Sequence, residues 1–111
     1  MNRKTMKDNR TEEQTDPGKL RHAVLERLKQ VIDPETGMDV ISMKLIPDLQ
    51  VDDSGGVSAV FRPSSPVCPL AVNLAINIKK AIREVPGISE VELTVVDFVG
   101  QKMLNEQLKL I

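Results

Sequence analysis

Apolar residues recur along this chain at two different periods, and each change of period marks a new element. Leu20, Val24, Leu28 and Val31 form one stripe at helical spacing, with Ala23 beside it, so a first helix is expected over residues 17–31. Asp16 is placed as its N-cap and Pro17 as its first residue, where a missing N–H costs nothing. The helix has to stop before Pro34, whose ring pushes Asp33 out of the helical region. Residues 32–39 are too polar and broken for a regular element, with a turn at Gly37. Val40-Ile41-Ser42-Met43 is a short apolar piece whose pattern fits no single element type. Over residues 45–51 the period drops to two. Pro47 cannot donate to a ladder, so this is an edge strand or one that begins after the proline. Asp52-Asp53-Ser54-Gly55-Gly56 is a strong turn, and residues 57–62 form a second strand, completing a hairpin.

A Pro-rich loop, Pro63-Ser64-Ser65-Pro66-Val67-Cys68-Pro69, leads to a second helix with Pro69 placed in its first turn. Leu70, Leu74, Ile78 and Ile82 make an i, i+4 row, flanked by Ala71, Ala75, Ala81 and Val85. Asn73, Asn77, Lys80 and Glu84 lie opposite, and Lys79, Lys80 and Arg83 read as a solvated face. Pro86-Gly87 ends this helix, residues 90–97 alternate as a third strand, and residues 101–111 carry Met103, Leu104, Leu108 and Ile111 at helical spacing. A hairpin, a helix and then a strand imply a crossover. The expected fold is therefore α/β (α+β): a small two-layer domain with a roughly three-stranded mixed sheet, two main helices on one face and a short C-terminal helix.

Residues 1–15 hold charges of both signs and no aliphatic side chain other than two Met. They are expected to be a mobile tail before a single domain over residues 16–111. The net charge of −1, from 15 basic and 16 acidic residues, argues against electrostatic binding to nucleic acid or membrane. With two Phe and no Tyr or Trp, base-stacking platforms are excluded as well. No apolar run approaches a membrane span and no signal peptide is visible, so a cytoplasmic protein is expected. One cysteine excludes an intramolecular disulfide, and a metal or cluster site made of this chain's thiolates alone. Neither a Gly-rich phosphate loop nor a Gly-x-Ser-x-Gly elbow is present.

Cys68 is the most informative residue. One position before Pro69, it is expected at or just outside a helix N-cap, where free N–H groups and the helix dipole favour a thiolate. A thiolate serves a nucleophile or a soft-metal ligand equally. The competing reading is a small buried hydrophobe. The second constellation is acidic, with Asp33, Glu35 and Asp39 in one loop and Asp48 at the hairpin. Turn chemistry explains Asp in such places, but Glu35 is a poor turn former and resists that reading best. His22 has no second His and reads as a surface residue; Ser64 and Ser65 lack an evident base. Asp52-Asp53-Ser54-Gly55-Gly56 lacks the distal acid of a calcium loop and reads as a turn.

Several motifs now stand together in order. They are Val31-Ile32-Asp33-Pro34-Glu35, Asp39-Val40-Ile41-Ser42-Met43-Lys44-Leu45-Ile46-Pro47-Asp48, Ser65-Pro66-Val67-Cys68-Pro69-Leu70, and Val85-Pro86-Gly87 before Val91-Glu92-Leu93. Over residues 17–98 this resembles the MIP18-like metal–sulfur cluster assembly domain, a family that includes the PaaD-like and SufT-like proteins. The resemblance implies an iron–sulfur cluster assembly or maturation factor that is not a turnover enzyme. It places the family's acidic motif on Asp33 and Glu35, its hairpin acid on Asp48, its hydroxyl on Ser65 and its thiol on Cys68. Relatives often carry Gly at the position of Lys44, and an Asp-Pro-Pro-Trp segment where this chain has Asp97-Phe98-Val99-Gly100-Gln101. The expected cargo is iron or an iron–sulfur cluster contacted by Cys68, with Glu35 and Asp33 assisting, and shared between chains or with a client. The expected partners are an iron–sulfur client, another assembly factor, or a second copy in a homodimer. The alternative is a metal-free adaptor that docks such a partner beside the Cys68 loop.

Overall fold

Each amphipathic stripe finds one buried face in the computed structural model, which describes residues 17–111. The tail expected over 1–15 and the Asp16 cap lie outside the described residues. In chain order the elements are α1 (Pro17–Leu28), β1 (Asp48–Val51), β2 (Gly56–Phe61), α2 (Ala71–Arg83), β3 (Glu90–Val95) and α3 (Gln101–Leu108). The sheet runs β1-β2-β3, with β1 antiparallel to β2 and β2 parallel to β3, so α2 is the crossover. Along the strands Leu49, Val57, Ala59, Phe61, Val91, Leu93 and Val95 are buried, while Asp48, Gln50, Ser58, Glu90, Glu92 and Thr94 are exposed. The buried set joins Val24 and Leu28 of α1, Leu74, Ile78 and Ile82 of α2, and Leu104 and Leu108 of α3 in one core. The helices thus cover one face of a mixed sheet and leave the other to solvent, as the α/β pattern requires. An Arg27–Glu84 ion pair links the ends of α1 and α2.

Several boundaries move for identifiable reasons. The first helix ends at Leu28; Val31 stays in the core but gives its C=O to the N–H of Val40 (3.0 Å) instead of to a helix. The strand of residues 45–51 begins only at Asp48, the residue after Pro47, and lies on the sheet edge. The second strand ends at Phe61 because the Arg62 N–H leaves the ladder for the C=O of Leu45 (2.8 Å). The third ends at Val95, two residues before Asp97, which has φ 56. Residues 40–43 form a turn whose N–H groups at Ile41 and Ser42 donate to Asp39 Oδ2, both at 3.0 Å. Two glycine-like positions are informative. Gly55, at φ 88, sits so close to Gly87 that a Cβ would lie 2.3 Å from its carbonyl oxygen. Lys44 holds φ 61, a conformation natural to Gly, which gives a physical reason for Gly at that position.

One reading of the charged surface is overturned. Lys79, expected on a solvated face, is 7% exposed, and its ammonium donates to the C=O of Leu108. The end of α3 folds over this side of α2, so Lys79 closes the last turn of a helix distant in the chain. Burial, and secondarily the charge of Arg83, pushes the Lys79 ammonium below its usual range.

Candidate functional site

The C-terminal ends of the parallel strands β2 and β3, and the start of the antiparallel β1, all lie at one end of the sheet. In α/β sheets that end is where loops converge on ligands. Here it collects the loop after β2, the loop after β3 and, through hydrogen bonds, the acidic loop. Val31 C=O accepts from Val40 N–H, Val40 C=O from Leu45 N–H (3.0 Å) and Leu45 C=O from Arg62 N–H. This relay ties residues 33–39 to the start of the thiol loop.

The thiol loop is braced on both sides. Pro66 C=O accepts from Val99 N–H (2.9 Å), and Arg62 Nε pairs with Asp97 Oδ2 at 2.9 Å on the surface. Cys68 N–H donates to Ser65 C=O (3.1 Å) and Cys68 C=O accepts from Ala71 N–H (3.3 Å). A tight turn through Pro69 and Leu70 therefore precedes the helix. The N-cap is Leu70, not Cys68, and helix two starts two residues later than Pro69 suggested. Cys68 is a free thiol, 5% exposed and packed in the core, while Pro66, Val67 and Pro69 around it are exposed. Its neighbour Ser65 is half-buried, and its Oγ accepts from Val67 N–H at 3.3 Å, which is turn chemistry.

In the acidic loop the residues divide by role. Asp33 is 2% exposed; its Oδ1 accepts from Glu35 N–H (2.8 Å) and its C=O from Gly37 (2.7 Å) and Thr36 (3.2 Å) N–H groups. Its oxygens are thus committed to the loop's own backbone. The carboxylate of Asp39 caps the next turn, and hydrogen bonds from Ser42 (side chain first, then N–H) hold it below the usual carboxylate range. Glu35 is exposed, and among the described residues its carboxylate has no hydrogen-bond or ion-pair partner. Asp48 sits on the open face of β1 and accepts from Gln50 Nε2 (3.0 Å). It shares the sheet end with Cys68 but faces away from the helix layer that buries the thiol. A groove of about 500–600 Å³ (560 Å³), lined by Ile32, Pro34, Leu70, Asn73 and Asn77, runs between the acidic loop and the first half of α2.

Among the described residues, no three His, Cys, Asp or Glu side chains converge to hold a metal. With one thiol in the sequence and the Asp33 oxygens engaged, this chain cannot alone fill the four positions of an iron–sulfur centre. Sequence reasoning missed the bracing of the thiol loop by Val99 and Asp97. The one available signal was Asp97 itself, since Asp is among the few residues that tolerate a left-handed conformation.

The arrangement defines a small α/β domain that brings a covered thiol and a free carboxylate to the carboxyl end of its parallel strands. The sequence profile described as iron–sulfur cluster assembly protein matches residues 21–95, and the chain belongs to that family, the MIP18-like one. An uncharacterized protein of Methanocaldococcus jannaschii, MJ1129, is 40% identical over 86 residues, covering 78% of this chain and 90% of that protein. The Fe-S protein maturation auxiliary factor YitW of Bacillus subtilis is 31% identical over 77 residues, covering 69% of this chain and 76% of the relative. A Bacillus anthracis domain of unknown function, DUF59, superposes with a TM-score of 0.67 at 24% identity, covering 86% of this chain and 96% of that one, and shows the same fold. No helix among the described residues is long and apolar enough to cross a membrane.

Proposed function

We propose that this chain is a non-catalytic iron–sulfur maturation factor in which Cys68 lends one thiolate to iron or a cluster carried as cargo. The remaining ligands come from a client, a second copy or a small thiol. The observation that carries this reading is the placement of the chain's one thiol in a loop clamped by the loop after β3, where it is covered until a neighbour moves. Docking of a partner at the sheet end uncovers Cys68, and Glu35, the carboxylate left without a partner, contacts the incoming metal or a cation of the client. Asp33 acts through the loop, holding the Glu35 backbone by its buried carboxylate. Ser65 shapes the turn that presents Cys68, and Asp48 and Asp39 shape the flanks.

Anaerobic reconstitution with iron and sulfide, followed by transfer to an apo client, tests this on wild type and Cys68→Ser. Visible absorbance that depends on Cys68, at about one cluster per two chains or one per chain–client complex, is the expected result. Folded Cys68→Ser protein with full client maturation would overturn it. A second reading is favoured by the burial of Cys68 and by the groove beside Pro34 and Leu70: an adaptor that binds its client without metal. It expects stoichiometric client binding unchanged by iron and by Cys68→Ser.

A further inference from the structure

The outer edge of β3 is half closed and half open. Val96 N–H donates to Phe61 C=O (3.0 Å), so the alternating backbone turns Glu90, Glu92 and Thr94 toward β2 and turns Val91, Leu93 and Val95 outward. Asn105 of α3 closes one outward position as a strand would: Oδ1 accepts from Val95 N–H (2.7 Å) and Nδ2 donates to Val95 C=O (3.1 Å). The outward N–H and C=O groups of Val91 and Leu93 have no partner among the described residues. A groove of about 500 Å³ runs along them between β3 and the end of α3, with Glu90, Glu92, Thr94, Leu108 and Lys109 in its walls. An open edge of this kind is a template for another strand.

Charge and geometry together exclude a second copy of this chain as the strand. A two-fold antiparallel pair centred on Glu92 sets that residue against its own copy, and one centred on Val91 sets Glu90 against Glu92. Like charges directly opposite destabilise the pair. Centring on Leu93 calls on Val95, whose groups Asn105 already holds. The exposed side chains of Glu90 and Glu92 instead complement basic residues at alternate positions of an added strand, whose intervening side chains face Leu108 on the helix side. We propose that the β3 edge between Glu90 and Thr94 docks an extended segment of a partner protein, with Lys or Arg at alternate positions and apolar residues between, as a fourth strand of the sheet. This surface is separate from the Cys68 loop and does not depend on the role of that thiol.

The test titrates the isotope-labelled full chain with a capped, alternating lysine–valine hexapeptide and follows amide exchange residue by residue. Exchange at Val91 and Leu93 slows by about tenfold or more at saturation, while the Glu92 amide, already bonded to β2, stays as it was. An alternating glutamate–valine hexapeptide fails to protect them, as does the lysine peptide N-methylated at its edge-facing amides. Glu90→Lys combined with Glu92→Lys raises the Kd for the lysine peptide by about three- to tenfold. Binding of the lysine peptide without slowing at Val91 and Leu93, or equal binding of the glutamate peptide, would overturn the proposal. Protection of both amides in the free chain would overturn it too: with a dimeric mass the edge belongs to a second copy, with a monomeric mass to another part of the same chain.

Discussion

The acidic loop and the thiol loop meet at the same end of the sheet, yet they are closed by opposite means. The acidic loop closes on itself, with Asp33 accepting from Glu35, Thr36 and Gly37 and donating to the C=O of Met38 (2.8 Å). The thiol loop closes on other segments, through Leu45 before it and Val99 after it. As a result the acidic loop hides the acid that builds it and leaves Glu35 outside, whereas the thiol loop hides Cys68 and leaves only prolines and Val67 outside. A group in a self-closed loop is available or not according to local turn geometry. A group in a loop clamped by its neighbours becomes available only when they move, and that ties the exposure of Cys68 to docking.

Breaking the self-closed loop has the largest expected effect. Asp33→Ala leaves the Glu35 N–H without its acceptor and opens a small void, for a loss of about 2 kcal/mol in urea unfolding; Asp33→Asn, which keeps an acceptor oxygen, loses less. In the clamped loop, Cys68→Ser buries a hydroxyl among apolar side chains and is expected to cost about 1–2 kcal/mol, more than Cys68→Ala. Client-maturation comparisons therefore belong at a temperature where all three proteins are folded. The clamp also shows in kinetics: alkylation of Cys68 at neutral pH is expected to be about tenfold or more slower than that of a free cysteine peptide, and to speed up when a docking partner is added. If alkylation in the isolated chain matches the free peptide, the clamp is not closed in solution.

Smaller effects sharpen the contrast. Lys44→Gly relieves a left-handed position just before the Leu45 relay and is expected to stabilise the chain by about 0.5 kcal/mol, read as a shift in unfolding midpoint. The weakest is pH-dependent. The Asp39 carboxyl is held below its ordinary value in the folded chain, so its contribution is complete above the unfolded carboxylate range and is lost as pH falls through the lowered folded value. Below about pH 4, Asp39→Ala is expected to flatten the fall in stability seen for wild type, by comparison of unfolding midpoints across that range.

Much of the fold was legible because period is a local property. The Leu20, Val24, Leu28 row, the Leu70 to Ile82 row and the alternation around Leu49, Ala59 and Leu93 each report one buried face without reference to the rest of the chain. Pro47 correctly marked an edge strand that starts after it. The acids were legible in part: turn chemistry accounts for Asp33 and Asp39, and Glu35 stands apart from it in the structure as in the pattern. The start of α2 was not legible, because Pro69 fits a tight turn as well as a first helical turn, and the hydrogen bond from Ala71 to Cys68 decides between them.

The residue order by itself determined the element types, their succession, the one face each presents to the core, and the motifs that place the chain among iron–sulfur cluster assembly proteins. Tertiary structure alone decided that Cys68 is covered, that Lys79 is buried under the end of a helix 29 residues away, and that Asn105 seals only one outward position of β3. The reason is physical. Helix and strand patterns depend on residues two to four apart, whereas the covering of a loop thiol, a lysine or a sheet edge depends on segments that only folding brings beside them.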